Sequence, residues 1–412
     1  MKKIILVNIL VLLSLLVLGQ SGKLSVGGNG WVLQDSGNGN PAKKFIFGIW
    51  GIPQYIAIHN KGQVSGADLL RSKTSFAKYG DKFDLIFTHS EYIKDYMSDH
   101  IIMTGSSEFA YMFKDYLKKT DGSYTDGKPL NMKKLASAYS NGSLDNIVYN
   151  GFDYLKGQFS AKSNWTYIWA PIDEVVTWPP NLIKGLYQIA KKKGDNLIYC
   201  DLFGSGKVNS YMTLSNTIAN NRGVDDEKYI TSWTNNVVKV AREYQGSGDI
   251  YGVNAYGEFY MDPVLAGKAV DGIKSALGNN VPVWLWFDPV GYAKPRTMIL
   301  SDYITNVKCQ IYTSIIHGAT GVLLYNDLRK SPTDFDIFYP ILKELKQNID
   351  LFYLPTIASN LDGHLHFCIK RNSKTNEQFV IATNTNHTQN LTFSYKKNSK
   401  VLKPFEVYIS KL

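Results

Sequence analysis

Eight short apolar runs, separated by stretches with helical periodicity, dominate the first three quarters of the chain. Strands buried on both faces of a parallel sheet have this near-continuous apolar character. Eight alternations of strand and helix are typical of a TIM barrel, whose reactive groups lie at the C-terminal ends of the strands. The sequence therefore predicts a (β/α)8 barrel over residues 44–352. The predicted strands are residues 44–50, 83–87, 100–104, 165–172, 196–201, 249–254, 281–287 and 320–325.

A doubly wound open sheet is the alternative fold for such a pattern. It normally carries a glycine-rich phosphate-binding turn after its first strand. Here Gly48 to Gly51 is followed by Ile52 and Pro53, which do not suit a phosphate cradle. The barrel is therefore the better interpretation.

The pattern changes to period two near Leu354 and Pro355. Short alternating runs without helices predict a small C-terminal antiparallel β-sandwich over residues 353–412. Its predicted strands are residues 365–369, 378–382, 391–395 and 405–409, with turns at 371–376 and 396–400.

The N-terminus has the features of an export signal. Two lysines precede an apolar run at residues 4–18, and Gly19 offers a small residue for cleavage. We expect residues 1–19 to be removed, residues 20–43, rich in Gly, Ser and Asn, to form a flexible leader, and the mature protein to be secreted or periplasmic. No later run reaches the ~20 apolar residues of a membrane span.

Charge and cysteine content narrow the function classes. The formal charge is +10, but the lysines are scattered rather than clustered as on a nucleic-acid-binding face. An aromatic content of 13% favours a carbohydrate or protein surface. The three cysteines, Cys200, Cys309 and Cys368, lie far apart in apolar patterns and are expected to be buried free thiols.

The strongest chemical signal is a pair of adjacent carboxylates, Asp173 and Glu174, at the end of the fourth apolar run. Trp165, Trp169 and Trp178 surround the pair. Indole rings stack on sugar faces, and a carboxyl with a raised pKa can protonate a glycosidic oxygen. The alternative is that both acids only cap the helix introduced by the prolines at 179 and 180.

Polar and aromatic residues concentrate at the C-terminal ends of the predicted strands, which converge on one mouth in a barrel. Besides the candidates below, Gln54, Glu91 and Asp201 have such positions. The predicted catalytic residues are Glu174, Asp288 and Asp173. The predicted substrate-binding residues are Trp50, His89, Trp178, Asn254, Tyr256, Glu258, Trp286, Tyr325 and Asp327.

The Asp173-Glu174 pair and the turn from His317 to Gly321 resemble glycoside hydrolases of the β-galactosidase-like barrel clan. The resemblance implies that Glu174 is the general acid/base and that strand seven supplies the nucleophile, here Asp288. The clan's best-known members have Asn-Glu and Glu at these places, so Glu258 is a second candidate for the partner carboxylate. Substrate assistance by an N-acetyl group is a third scheme. The expected partner is an oligo- or polysaccharide, with no cofactor, metal or nucleic acid.

Rival functions have weaker support. A metal-dependent amidohydrolase needs a His-x-His motif after strand one, and a serine hydrolase needs a Gly-x-Ser-x-Gly elbow; the sequence has neither at those positions. His364 and His366 share a strand face but have no third ligand in the pattern. A non-catalytic barrel that binds glycans at the same mouth is the stronger rival, because aromatic platforms would be kept in both cases.

Overall fold

The described residues leave several gaps in the chain. The computed structural model describes residues 23–35, 39–50, 78, 82–87, 100–122, 124–125, 129–160, 166–194, 196–204, 227–256, 259, 262–289, 294, 298–325 and 332–412. The predicted signal peptide lies outside these residues.

The N-terminal segment forms a three-stranded antiparallel sheet of β1 (Leu24–Val26), β2 (Val32–Gln34) and β3 (Ala42–Lys44). The expectation of a flexible leader is therefore wrong for these strands. Leu24 and Val32 are buried in the same cluster as the barrel-interior side chains. The backbone N–H of Asn29 donates a hydrogen bond to Asn280 Oδ1 at 3.1 Å. Burial of these two apolar side chains stabilises the Gly- and Asn-rich segment against the barrel.

A closed barrel of eight parallel strands follows, which confirms the predicted fold and excludes the open sheet. The strands pair in chain order, and the last pairs with the first, with Tyr325 opposite Trp50. The fourth strand is shorter than predicted and ends near Trp169. The barrel strands are β4 (Ile46–Trp50), β5 (Leu85–Phe87), β6 (Ile101–Thr104), β7 (Tyr167–Trp169), β8 (Leu197–Gly204), β9 (Ile250–Asn254), β10 (Val283–Phe287) and β11 (Gly321–Tyr325).

Helices surround the barrel. Amphipathic character accounts for most of them, since their apolar faces are buried against the outer side of the strands. No helix in the described part of the chain is both long and apolar enough to cross a membrane. The helices are α1 (Ser106–Thr120), α2 (Met132–Ser140), α3 (Asp145–Ser160), α4 (Pro180–Lys193), α5 (Glu227–Glu243), α6 (Val264–Leu277), α7 (Leu300–Ile316), α8 (Pro332–Gln347) and α9 (Ile349–Tyr353).

The barrel interior is packed around the fully buried Trp284 of β10. Its ring stacks on Tyr199 of β8, with centroids 6.1 Å apart. Two glycines on flanking strands make the space: a Cβ on Gly321 would lie 2.5 Å from the Trp284 ring, and one on Gly252 would lie 1.8 Å from the Tyr199 hydroxyl. Large and small residues therefore alternate between neighbouring strands, as a filled barrel requires.

The C-terminal residues form two antiparallel sheets, one of four strands and one of two, which confirms the predicted C-terminal β domain. The Asn398–Leu402 strand was missed, because its polar composition predicts a turn at 396–400. It pairs with Leu391–Tyr395 through a tight turn at Lys396, where φ is +55°. The strands are β12 (Thr356–Asn360), β13 (Leu365–Arg371), β14 (Gln378–Asn384), β15 (Leu391–Tyr395), β16 (Asn398–Leu402) and β17 (Val407–Lys411).

Helix α7 packs against β14 through buried polar contacts. The Thr313 and Thr383 hydroxyls are 3.0 Å apart. Next to α7, His317 connects two groups: its Nδ1 is 2.9 Å from Asp271 Oδ1, and its Nε2 is 2.9 Å from His366 Nδ1. This Asp–His–His chain joins α6 to β13, so both histidines have a structural role.

Cys309 and Cys368, like Cys200 in the barrel, are buried free thiols, as predicted.

Replacement of Gly252 by Ala should destabilise the fold. The new methyl group would overlap the Tyr199 hydroxyl and lie 2.4 Å from the Trp284 carbonyl oxygen. We expect a loss of about 1–3 kcal/mol or more in the free energy of unfolding, measured by urea denaturation. Gly28→Ala is the matched control, since no heavy atom lies within 4 Å of its new Cβ. Equal stability of the two variants would contradict the interior packing.

Acidification should destabilise the protein through His366. Burial lowers the pKa of His366 well below its usual value, and the nearby His317, Lys268 and His364 add to the effect. Below pH ~6.5 the unfolded chain binds a proton that the folded chain rejects, so stability falls as pH falls, by at most about 1.4 kcal/mol per pH unit.

His366→Asn keeps a donor near the Nδ1 position and should show a shallower loss of stability between pH 7 and pH 5. Thermal unfolding at several pH values measures the slopes. The exposed His387, replaced in the same way, serves as the control. An unchanged slope in His366→Asn would mean that His366 does not contribute.

Candidate active site

An aromatic arc lines one side of the barrel mouth. It consists of Trp50, Phe87 and Tyr325 on three adjacent strands, β4, β5 and β11, with Trp286 below them. The Trp50 ring lies 4.8 Å from Tyr325, 5.4 Å from Phe87 and 6.2 Å from Trp286, as centroid distances. Trp50 and Tyr325 are only partly buried, so their rings are the accessible part of the arc.

An acidic arc lies on the other strands. Asp173 and Glu174 follow β7, Asp201 is on β8, and Asp288 follows β10. Asn254 ends β9 between them, and its Nδ2 donates to Glu174 Oε1 at 3.3 Å. The mouth thus combines a carboxyl-rich side and an apolar, ring-lined side, as the convergence of strand ends predicts.

Glu174 has a left-handed backbone conformation, with φ +49° and ψ +68°. For a residue with a Cβ this conformation costs about 1–2 kcal/mol, and such strain is concentrated at functional sites. The conformation turns the chain into a short 3-10 helix, Val175–Thr177, which the Glu174 side chain does not cap. Helix α4 begins later, at Pro180, and its N-cap makes no side-chain bond. The interpretation of the acid pair as helix caps is therefore wrong.

Side chains alternate between the two faces of a sheet only along a strand. Since β7 ends at Trp169, strand alternation does not apply to Asp173 and Glu174. Asp173 is exposed and Glu174 is partly buried, yet both act electrostatically on Asp201.

Asp201 is a site residue that the predicted set of catalytic and binding residues omitted. It is 3% exposed, and its Oδ1 has no hydrogen-bond partner among the described residues. Burial raises the pKa of its carboxyl well above the usual range, and the charges of Asp173 and Glu174 raise it further. The available signal was the alternation Leu197, Tyr199, Asp201, which places the acid on the inward face of β8.

Asp288 lies at the end of β10 as predicted, two strands beyond β8 in the closed barrel. It is 2% exposed, and its Oδ2 accepts a hydrogen bond from the Tyr303 hydroxyl of α7 at 2.9 Å. This bond fixes one carboxyl oxygen toward the helix layer. Burial raises the pKa of the Tyr256 hydroxyl well above its usual value, and Asp201, Asp173, Tyr325 and Asp288 raise it further.

Trp169 and Trp178 lie outside the mouth. Trp169 points to the helix layer, with its ring 6.0 Å from Phe152. Trp178 is 9% exposed, packs 5.6 Å from Phe113 of α1, and its carbonyl accepts a bond from Tyr244. The predicted binding role of Trp178 is therefore not supported, because its faces are covered.

Several candidates fall outside the described residues: Gln54, His89, Glu91, Trp165, Glu258 and Asp327.

No three His, Cys, Asp or Glu side chains within the described ranges are arranged to hold a metal ion. Nδ1 of His366 is hydrogen-bonded to His317, and Nδ1 of His364 lies 3.1 Å from the Thr385 hydroxyl.

Comparison with known proteins reveals similarity only among solved structures. No family model matches the chain, and no curated protein matches it. The cyclic α-maltosyl-(1→6)-maltose hydrolase from Arthrobacter globiformis is 10% identical, with 76% of each chain covered and a TM-score of 0.39. A Nostoc punctiforme debranching enzyme is 9% identical, with 89% of this chain and 97% of that chain covered and a TM-score of 0.46.

An archaeal fructose 1,6-bisphosphate aldolase is also similar, at 13% identity and a TM-score of 0.35, over 72% of this chain and 92% of that chain. Similarity at this level assigns neither an activity nor a clan, and the resemblance to the β-galactosidase-like clan stays a prediction.

The strain at Glu174 can be measured directly. Glu174→Gly and Glu174→Ala both remove the carboxylate, but only glycine adopts the left-handed conformation without a steric cost. We expect the Gly variant to be more stable than the Ala variant by about 1 kcal/mol in urea denaturation at pH 7. The reverse order would contradict the left-handed conformation in solution.

Proposed function

We propose that this protein is an exported glycoside hydrolase that cleaves an oligo- or polysaccharide with Glu174 as general acid. The observation that carries the proposal is the strained Glu174, bonded to Asn254, at a mouth whose other side is the aromatic arc. A sugar can stack on Trp50 or Tyr325 while its glycosidic oxygen faces Glu174. Export rests on the N-terminal sequence alone.

The chemistry needs two carboxyl groups. Glu174 donates its proton to the leaving oxygen as the glycosidic bond breaks, and a second carboxylate acts at the anomeric carbon. Asp288 is the proposed partner because it ends β10, where the resembling clan has its nucleophile. With the carboxyl groups about 5 Å apart, Asp288 would attack directly and the configuration would be retained; about 6.5–9.5 Å would admit a water and invert it.

A glycan-binding barrel without catalysis is the second candidate. The burial of Asp288 and its bond to Tyr303 favour it, since a nucleophile must reach the substrate. A binder needs the aromatic arc but no proton donor. Removal of the Glu174 proton separates the two functions.

Glu174→Gln keeps the size of the side chain and removes its proton. On an unactivated oligosaccharide found in a polysaccharide and glycoside panel, we expect turnover to fall about 10²-fold or more. Glu243→Gln, an exposed carboxylate replaced in the same way, should keep full activity. Unchanged turnover in Glu174→Gln would refute the assignment, and sugar binding without turnover in the parent protein would support the binder.

Asp288→Asn tests the partner carboxylate. We expect a loss at least as large as that of Glu174→Gln, because no carboxylate then stabilises the anomeric centre. The anomer formed first, detected by NMR, reports retention or inversion. If Asp288→Asn stays active, Glu258 becomes the next residue to replace.

A further inference from the structure

Asp201 is an inward-facing residue at the level where the barrel interior changes from apolar to polar. Leu197 and Tyr199, four and two residues earlier on β8, belong to the buried interior cluster, so Asp201 shares their face. The β8–β9 pairing is irregular between Asp201 and Gly204. Irregularities of this kind are frequent next to active sites, where they re-aim a side chain.

The surroundings of Asp201 disfavour a negative charge. Its carboxyl is almost fully buried, and Oδ1 has no partner among the described residues. Among the described residues, the charged groups that act on it are Asp173 and Glu174, both carboxylates. A buried carboxylate needs a positive or hydrogen-bonding partner to stay ionised, and like charges that share a site cannot all ionise.

The other titratable groups around Asp201 are neutral at pH 7. Burial raises the pKa of the Tyr199 hydroxyl and of the Cys200 thiol well above their usual values, and Asp201 adds to both effects. The Tyr256 hydroxyl is affected in the same way. These groups therefore supply no compensating charge.

We propose that Asp201 keeps its proton at neutral pH and is a positioning residue, a neutral hydrogen-bond donor below the Asp173–Glu174 pair. A protonated Asp201 removes one negative charge from the cluster of Asp173, Glu174 and Asp201. It thereby reduces the electrostatic repulsion on Glu174. The catalytic consequence rests on the proposed glycosidase function, whereas the protonation state does not.

Infrared difference spectroscopy tests the protonation state without any substrate. At pH 6, where an ordinary aspartate is ionised, the parent protein should show the carbonyl band of a protonated carboxylic acid that disappears in Asp201→Asn. Asp362→Asn, a change of a carboxylate that is 91% exposed, should leave that band in place. A spectrum in which Asp201→Asn removes only a carboxylate band would overturn the proposal.

Stability provides a second test. An aspartate whose pKa is raised by folding keeps in the native state a proton that the unfolded chain has lost, so its contribution to stability falls as pH rises above the unfolded pKa. The unfolding equilibrium constant of the parent protein, divided by that of Asp201→Asn, should therefore increase up to about tenfold per pH unit above pH ~4. A ratio independent of pH would overturn the proposal even if Asp201→Asn is less stable throughout.

Kinetics test the positioning role. Asp201→Asn keeps a donor and no charge, so the alkaline limb of the pH profile of kcat/KM should stay where it is in the parent enzyme, and kcat should be largely retained. If Asp201 were ionised, Asp201→Asn would remove a negative charge near the general acid and move that limb to lower pH. Asp201→Ala lacks the donor and should lose kcat, whereas full activity in Asp201→Ala would refute the positioning role.

The failure of one proposal is distinguishable from the failure of the other. Absence of turnover in the parent protein on every glycan would end the glycosidase proposal, while the infrared band would still report a protonated Asp201. Conversely, an ionised Asp201 in an active glycosidase would refute the protonated state of Asp201 and leave the glycosidase function standing.

Discussion

The structure depends on how the barrel interior is filled. An eight-stranded barrel has room for few large side chains per layer, and Trp284 occupies much of the lower interior only because Gly252 and Gly321 leave space for it. Leu24 and Val32 of the N-terminal sheet add to the same apolar cluster. Near the C-terminal ends of the strands, the described part of the interior takes up the polar side chains of Asp201 and Asn254. The position of the acidic arc follows from this packing.

The candidate site lowers the free energy of unfolding, and interactions elsewhere in the fold must offset this loss. A left-handed Glu174 and several carboxyl groups in one mouth are each unfavourable, and such features persist only where the surroundings over-determine them. Here the large apolar cluster between strands and helices stabilises the surrounding structure. The C-terminal domain adds buried polar contacts to α7. A strained backbone and charge repulsion that coincide at one mouth are expected of a site that binds or transforms a ligand.

Much of the fold was predictable from sequence because strands buried on both faces appear as apolar runs. Seven of the eight barrel strands lie within the predicted runs, and β8 extends three residues beyond its run. The N-terminal sheet was missed since its strands have three residues each and glycines between them. Strand β16 was missed because its first three residues, Asn398, Ser399 and Lys400, are polar. For the site, strand ends identified Trp50, Glu174, Asn254 and Asp288, but sequence could not give side-chain direction beyond the strands. Trp178 was therefore assigned to the mouth, although it packs against α1. Asp173 and Glu174 follow the end of β7, so strand alternation gives no direction for their side chains.

The four carboxyl groups differ in depth, and depth constrains what each can do. Asp173 is exposed and Glu174 partly buried, whereas Asp201 and Asp288 are nearly inaccessible. A group that protonates a glycosidic oxygen must contact the substrate, which favours Glu174 over Asp201 even though burial makes Asp201 the better holder of a proton. Asp288 is the critical case, because Tyr303 holds one of its oxygens toward the helix layer. If Asp288 reaches the anomeric carbon, it must do so with its other oxygen, so the Tyr303 bond orients the carboxylate as well as restraining it.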